Sequence, residues 1–177
     1  MIDRRALLMA GVALGALAAM NTSGKAETKS ETKAEKMTTT EKTTDFRALT
    51  DADWRKRLSP QQYDVLRKHG TERAGTSPLN REKGKGTFEC AGCDLPLFSS
   101  NTKFESGTGW PSFFQPLPDA VETKSDRTFF MTRTEVHCKR CLGHLGHVFD
   151  DGPKPTGLRY CMNGVAMKFV AQGATAS

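Results

Sequence analysis

Two Cys-x-x-Cys units constrain this chain more than any other feature of its sequence. They pair Cys90 with Cys93 and Cys138 with Cys141, and 44 residues lie between the two units. Two such units supply four thiolates, the tetrahedral ligand set of a structural zinc ion. We therefore predict one zinc ion that ties together segments distant in sequence and leaves no open position for water. Disulfides or a redox-active dithiol are the alternative, but a bridge within Cys-x-x-Cys closes a very short loop and stabilises little.

The chain after Pro78 has the pattern of a mainly β protein. Its apolar runs are short and are broken by Gly, Pro, Asn and Asp, and apolar and polar residues alternate clearly at positions 133–138. Such alternation predicts strands joined by tight turns. Two short helices are predicted before this region. Ser59 can cap the second helix, Pro60 can start it, Gln62 completes a capping box, and Gly70 can end it.

The first 45 residues have the composition of an export signal followed by a linker. Arg4 and Arg5 precede an apolar run that ends at Met20, which is typical of a signal peptide over residues 1–20 and resembles a twin-arginine signal. An uncleaved membrane anchor or a core helix is the alternative. Residues 21–45 are rich in Thr, Lys and Glu and predict a disordered linker. We expect a folded domain at 46–172, a tail at 173–177, and an exported protein, in the bacterial periplasm, without a stable membrane span.

The charge of the chain is mildly basic and scattered. The formal net charge is +6, and no dense cluster of Lys and Arg stands out. Recognition of nucleic acid depends on such a cluster. We therefore expect no nucleic-acid partner.

The fifth cysteine, Cys161, stands apart from the two pairs. His144 and His147 precede it and Asn163 follows it, so a thiol, two imidazoles and an amide lie in one short region. A nearby histidine can activate a cysteine nucleophile, because a free thiol is mostly protonated at neutral pH. An isolated cysteine is equally often a small buried side chain. These residues alone leave the two interpretations evenly balanced.

An aromatic loop provides a candidate binding surface. Trp110 lies between Gly109 and Pro111, and Phe113 and Phe114 follow. An aromatic ring held in this way can contact an apolar or sulfur-bearing ligand. It can also belong to the core, and the residues alone favour the core.

Five motifs in a fixed order resemble the zinc-containing methionine-R-sulfoxide reductases, the B-type peptide-methionine sulfoxide reductases. They are the two Cys-x-x-Cys units together with SGTGWPSF, GHLGHVFDDGP and RYCMNG, and the resemblance spans about residues 50–170. It implies two antiparallel sheets that form an incomplete barrel, short N-terminal helices and a structural zinc ion.

The resemblance also implies roles for individual residues and a substrate. Cys161 is then the nucleophile that becomes a sulfenic acid, and His147, His144 and Asn163 hold the sulfoxide and help to protonate its oxygen. Trp110 receives the methyl group of the substrate, and we add Phe113 as a second substrate-binding residue. The expected substrate is oxidised methionine in proteins, of R configuration, and we expect a monomer.

One position departs from the family pattern. Many members carry a recycling cysteine two residues before the tryptophan, where this chain has Thr108. With four cysteines bound to zinc, no thiol is left to resolve the sulfenic acid within the chain. A thioredoxin-like protein or a small thiol is therefore the expected reductant, and transient use of a zinc ligand, at the cost of the metal, is the alternative. A zinc-scaffold binding module and a peroxide sensor are the rival functions.

Overall fold

The computed structural model describes residues 44–127 and 132–173, and these residues form a mainly β fold. The predicted signal peptide lies outside the described residues, as do the linker up to residue 43 and the tail from residue 174. None of the helices within the described ranges is long and apolar enough to cross a membrane. The elements are α1 (Asp51–Arg57), α2 (Pro60–Lys68), β1 (Gly86–Cys90), β2 (Pro96–Ser99), β3 (Lys103–Phe104), β4 (Ser112–Phe113), β5 (Val121–Asp126), β6 (Arg133–Cys138), β7 (His144–Phe149), β8 (Arg159–Met162) and β9 (Met167–Ala171).

The described strands form two antiparallel sheets. The smaller sheet has the order β2-β1-β9, and the larger has the order β3-β4-β8-β7-β6-β5. Strands β5 to β8 are each hydrogen-bonded to the next along the chain, as in a meander. The larger sheet ends at β3 and β5 and does not close on itself. The predicted class, mainly β with two antiparallel sheets and an incomplete barrel, is confirmed.

Stacked aromatic side chains join the two sheets. The Phe113 ring of β4 stacks on Phe98 of β2 with centroids 4.4 Å apart, and meets Phe88 of β1 edge-on at 4.9 Å. All three side chains are fully buried. Burying each of them contributes about 1.5–3 kcal/mol to folding. The core therefore lies between the sheets and fixes their separation.

The predicted helix boundaries are confirmed at the start of α2 but not at its end. Ser59 accepts from the Gln62 amide, and Gln62 accepts in return from the Ser59 amide, which completes the predicted capping box. At the other end the left-handed residue is His69, with φ 57°, and not Gly70. Gly70 follows it, and a Cβ there would lie 2.1 Å from Oδ2 of Asp64, so a larger residue would displace that side chain.

Candidate active site and metal centre

The four paired cysteines meet in one buried cluster. Their sulfur atoms all lie within 4.8 Å of one another. The Cys90 and Cys141 sulfurs are 3.7 Å apart, and those of Cys93 and Cys138 are 3.5 Å apart. Tetrahedral zinc with bonds of about 2.3 Å separates its sulfur ligands by about 3.8 Å. The cluster therefore has the donor set and the spacing to hold such an ion.

The two Cys-x-x-Cys turns have the same local structure. The amide of Asp94 donates to the carbonyl of Cys90 at 2.9 Å, and the amide of Leu142 donates to that of Cys138 at 2.9 Å. Both Asp94 and Leu142 adopt positive φ, 60° and 59°. Each turn follows a strand, β1 in the smaller sheet and β6 in the larger. The cluster therefore connects the two sheets, as the separation of the pairs in sequence predicted.

Arginine side chains hold the cysteine turns in place. Arg57 of α1 donates to the Gly92 carbonyl at 2.7 Å, and Arg67 of α2 donates to the Cys141 carbonyl at 3.0 Å. Hydrogen bonds among the four thiols lower the pKa of Cys138 and raise the pKa of Cys90 and of Cys93. The helices thus pack over the metal cluster and orient its turns.

Cys161 lies outside this cluster, in the middle of β8. It is paired with Ser112 of β4 on one side and with His147 of β7 on the other. Alternate residues of a strand point to opposite faces. Met162 is buried in the core, while Cys161 is partly exposed on the other face. Directly opposed residues in antiparallel strands have Cβ atoms about 5 Å apart, so the thiol and the imidazole are neighbours.

A small pocket of about 130 Å³ opens above the Cys161 thiol. The indole N–H of Trp110 donates to the Glu72 carbonyl at 3.1 Å, which fixes the ring at the wall of this pocket. The pocket is lined by Thr71, Trp110, Arg133, Gly146, His147, Phe149, Cys161 and Asn163. The structure therefore brings together four of the residues singled out from sequence: Cys161, His147, Asn163 and Trp110.

His147 is held by a carboxylate. Its Nε2 lies 2.9 Å from Oδ2 of Asp126, and the Arg133 guanidinium contacts the same oxygen at 2.9 Å. The imidazole and the carboxylate are both mostly buried. A carboxylate in this position orients the ring.

His144 is adjacent to the pocket but does not line it. It is buried, and its Nδ1 lies 2.8 Å from Oε1 of Glu135. Burial lowers the pKa of His144, and the hydrogen bond to Glu135 only partly opposes this effect. Burial alone would raise the pKa of Glu135, but hydrogen bonds from His144 and Lys124 outweigh it and keep that pKa below its usual value. The neutral imidazole packs against His147, with ring centroids 5.4 Å apart.

Asn163 is fixed by hydrogen bonds through both atoms of its amide. Its Nδ2 donates to the Leu145 carbonyl at 3.0 Å, and its Oδ1 accepts from the Glu72 amide at 3.0 Å. The side chain is buried. Asn163 therefore joins β7 to the segment after α2 at the edge of the pocket.

Glu72 is the central residue of this network, and it was missed in the sequence analysis. Its carboxylate accepts from the amides of Gly164 and Val165 at 2.6 and 2.9 Å, while its backbone contacts Asn163 and Trp110. A glutamate in a short loop after a helix carries no sequence signal for this role. Its contacts span about 90 residues of chain and appear only once the fold is known.

Comparison with known proteins agrees with this geometry. Residues 58–171 match the SelR domain model. The peptide methionine sulfoxide reductase MsrB of Agrobacterium fabrum is 58% identical over 120 residues, which cover 67% of this chain and 89% of that protein. The MsrB of Leptospira interrogans is 57% identical over 120 residues, covering 67% of this chain and 92% of that protein.

This chain belongs to the MsrB family. The family is one of oxidoreductases, so the enzyme class expected from the motifs is confirmed. A plant relative, the chloroplastic peptide methionine sulfoxide reductase B1 of Arabidopsis thaliana, is 53% identical over 128 residues, 72% of this chain and 63% of that protein.

In this MsrB-family chain Phe113 does not reach the pocket. It is 0% exposed and packs between Phe88 and Phe98 in the core, so the expectation that it contacts substrate is wrong. The aromatic ring beside Trp110 at the pocket is Phe149 of β7. Strand alternation explains the difference, since Phe113 neighbours Tyr160 in register while Phe149 lies on the same face as His147.

Proposed function

We propose that this protein reduces the R epimer of methionine sulfoxide, within polypeptides, to methionine, with Cys161 as the nucleophile. The observation that carries the proposal is the pairing of Cys161 with His147 across two strands, at the base of a pocket bounded by Trp110 and Phe149. A thiol beside an imidazole supports nucleophilic chemistry, and the aromatic rings suit a methyl group bonded to sulfur.

The reaction transfers one oxygen atom. The thiolate of Cys161 attacks the sulfoxide sulfur while protonated His147 donates a proton to the sulfoxide oxygen. The protonated oxygen then moves, as a hydroxyl group, from the methionine sulfur to the Cys161 sulfur while the transient bond between the two sulfur atoms breaks, so methionine is released and Cys161 becomes a sulfenic acid. The methionine sulfur gains the two electrons that the cysteine sulfur loses. Asp126 supports this step because its carboxylate holds the imidazole in place.

The other predicted residues have positioning roles in this proposal. Asn163 holds the edge of the pocket, and His144 packs neutral against His147. We also propose that Cys90, Cys93, Cys138 and Cys141 hold one zinc ion. Four thiolates fill its coordination sphere, so the ion supplies structural cross-linking.

The sulfenic acid is proposed to be reduced by an external thiol. The hydroxyl of Thr108 lies 3.8 Å from the Cys161 sulfur, where a cysteine would be needed for internal resolution. Two thiols of a thioredoxin-like protein or of a small molecule restore Cys161 and release water and a disulfide. Mass spectrometry after one turnover without reductant tests this step. A sulfenic acid on Cys161 is expected, and a disulfide between Cys161 and another cysteine of the chain would contradict it.

Replacing the nucleophile tests the reaction itself. Cys161→Ser is expected to abolish reduction of N-acetyl-methionine-R-sulfoxide amide while zinc content stays at one ion per chain. Thr108→Ser, which keeps the neighbouring hydroxyl, is the matched control and retains turnover. Neither Cys161→Ser nor Thr108→Ser is expected to reduce the S epimer. Appreciable reduction of the R epimer by Cys161→Ser would exclude the proposed mechanism.

We also infer export to the periplasm from Arg4, Arg5 and the apolar run after them. N-terminal sequencing of the protein from a bacterial periplasmic fraction tests this inference. A new N-terminus near residue 20 supports it, and an intact Met1 in the cytoplasmic fraction contradicts it.

A further inference from the structure

A second cavity adjoins the catalytic pocket. Its volume is about 550 Å³, and it shares Thr71, Arg133 and His147 with the pocket above Cys161. We call it the cationic groove, because four cationic side chains line it: Lys68, Lys124, Arg127 and Arg133. It runs between the end of α2 and the adjoining strands β5, β6 and β7.

The positive charge of the groove exceeds its negative charge. Its two carboxylates, Asp126 and Glu135, are each engaged by a cation: Arg133 lies 2.9 Å from Asp126, and Lys124 lies 3.0 Å from Glu135. Among the described residues no carboxylate lies within ion-pair distance of Lys68 or Arg127, and the Lys68 ammonium also lies 5.8 Å from the centre of the Tyr63 ring. Both side chains belong to exposed residues. His69 and His144 contact Glu135 as well and add no negative charge.

The catalytic pocket is too small for more than one side chain of a polypeptide substrate. Its volume is about 130 Å³, and a cavity of about 150 Å³ holds a molecule the size of benzene. The residues that flank the oxidised methionine must therefore lie outside, against the surface next to the pocket. The cationic groove shares three lining residues with the pocket and is one charged part of that surface.

We propose that the cationic groove binds the carboxylate of an acidic residue that flanks the methionine sulfoxide in the polypeptide substrate, with Lys68 and Arg127 as its partners. This inference rests on the proposed function and names a preferred substrate class for it. Opposite charges across an interface favour encounter and register more than tight binding. The cations are interspersed with carboxylates and do not form the dense basic patch that a polyanion such as nucleic acid requires.

A peptide series tests the proposal on the wild-type protein. Three peptides carry methionine-R-sulfoxide between two glutamates, two glutamines or two lysines. We expect kcat/KM to fall in that order, with about fivefold between the first and the last, the ratio that one or two solvent-exposed ion pairs supply. Added salt is expected to reduce the difference. Equal kcat/KM for the three peptides would overturn the proposal.

Variants identify the partners. Lys68→Gln combined with Arg127→Gln is expected to remove the preference for the glutamate peptide and to leave turnover of N-acetyl-methionine-R-sulfoxide amide unchanged, since that substrate has no charged flanks. Lys56→Gln on α1, which does not line the groove, is the matched control and keeps the preference. A preference that survives in the double variant would overturn the assignment.

Two further outcomes distinguish failure of the peptide preference from failure of the proposed reductase function. Inorganic phosphate that inhibits all three peptides equally would indicate a site for free anions and would contradict the peptide preference. Absence of turnover of the blocked amino acid by the wild-type protein would instead refute the proposed reductase function.

Discussion

Thr108 is the residue beside Cys161 on which the proposed recycling by an external thiol rests. Its hydroxyl lies 3.8 Å from the Cys161 sulfur and 2.8 Å from the Ser106 hydroxyl. The position is therefore within reach of the nucleophile but carries no thiol. In the proposed mechanism, the residue type at position 108 therefore decides whether Cys161 can be resolved within the chain.

Thr108→Cys is expected to introduce internal resolution. After one turnover the new thiol condenses with the sulfenic acid of Cys161, forms a disulfide and releases water. Thioredoxin is then expected to support turnover better than in the wild-type protein. Peptide mapping under non-reducing conditions measures the disulfide, and Thr108→Ser is the control that cannot form it. A sulfenic acid that persists in Thr108→Cys would show that the two side chains do not meet during catalysis.

Single residues also show what the sequence could and could not predict. The roles of the four paired cysteines depend on chemistry that few residue types provide, so their spacing was sufficient to predict a cluster. Phe113 was misassigned because the loop sequence does not show which aromatic ring points into the core. Glu72 was missed because its partners are amides and carbonyls, which every residue carries.

The loop after α2 holds several walls of the catalytic pocket together through Glu72. Glu72→Gln is expected to leave one of two amides, those of Gly164 and Val165, without its acceptor. We expect a loss of about 1.5–3 kcal/mol in the free energy of unfolding, the range for hydrogen bonds to a charged group. Displacement of Trp110 and Asn163 is expected to lower kcat/KM by about tenfold to a hundredfold.

The control for this prediction is a similar contact far from the pocket. Glu82→Gln removes a carboxylate that accepts from the Gly84 amide at 2.6 Å in an exposed turn. It is expected to leave kcat/KM unchanged. Urea unfolding and steady-state kinetics on both variants measure the effects. A loss of stability in Glu72→Gln with normal kinetics would limit Glu72 to a structural role.

The pairing of β6 with β7 makes stability depend on pH through His144 and Glu135. The folded protein lowers the pKa of His144 below 6.5, so the unfolded chain binds one more proton between the lowered pKa and 6.5. Stability is therefore full above pH 6.5 and falls as the pH drops, by at most about 1.4 kcal/mol per pH unit for one proton. The lowered pKa of Glu135 adds a further loss below about pH 4.5.

Urea unfolding midpoints measured between about pH 7.5 and 5 test this dependence of stability on pH. The range spans an ordinary histidine pKa of about 6.5. His144→Gln is expected to be less stable at pH 7.5 but to lose less stability on acidification. His137→Gln is the comparison variant, because His137 is a neighbouring histidine on β6 whose Nε2 lies 3.4 Å from a carboxylate oxygen of Glu122. An unchanged pH slope in His144→Gln would show that another group controls acid sensitivity.

The boundary of a helix could be predicted from the sequence where it depends only on residues close by in the chain. Ser59, Pro60 and Gln62 specify the start of α2 without reference to the rest of the chain. The end of α2 did not follow, because His69 adopts its left-handed conformation next to Glu135, 3.1 Å away on β6. That contact depends on how the sheet packs against the helix.

At the scale of the described fold, the cysteine cluster reaches across both sheets, since it joins the end of β1 of the smaller sheet to the end of β6 of the larger, and both helices donate to its turns. Each cysteine of the cluster is at most 2% exposed. Structural zinc sites contribute about 10 kcal/mol or more of apparent folding free energy, as much as the whole stability of many domains. Without the proposed ion, contacts such as those among Phe88, Phe98 and Phe113 are left to link the sheets.

Removal of zinc is therefore expected to unfold both sheets together. A chelator added at moderate temperature, or Cys90→Ser, should abolish the cooperative thermal transition and the reductase activity, while Cys161→Ser loses activity but keeps both the metal and the transition. Far-ultraviolet circular dichroism, zinc release and turnover are measured on the same samples. If the metal-free protein kept a cooperative transition and full turnover, aromatic packing alone would suffice to hold the sheets. If zinc release, loss of the cooperative transition and loss of turnover coincide, β8 depends on the metal site, which lies two strands away at the end of β6.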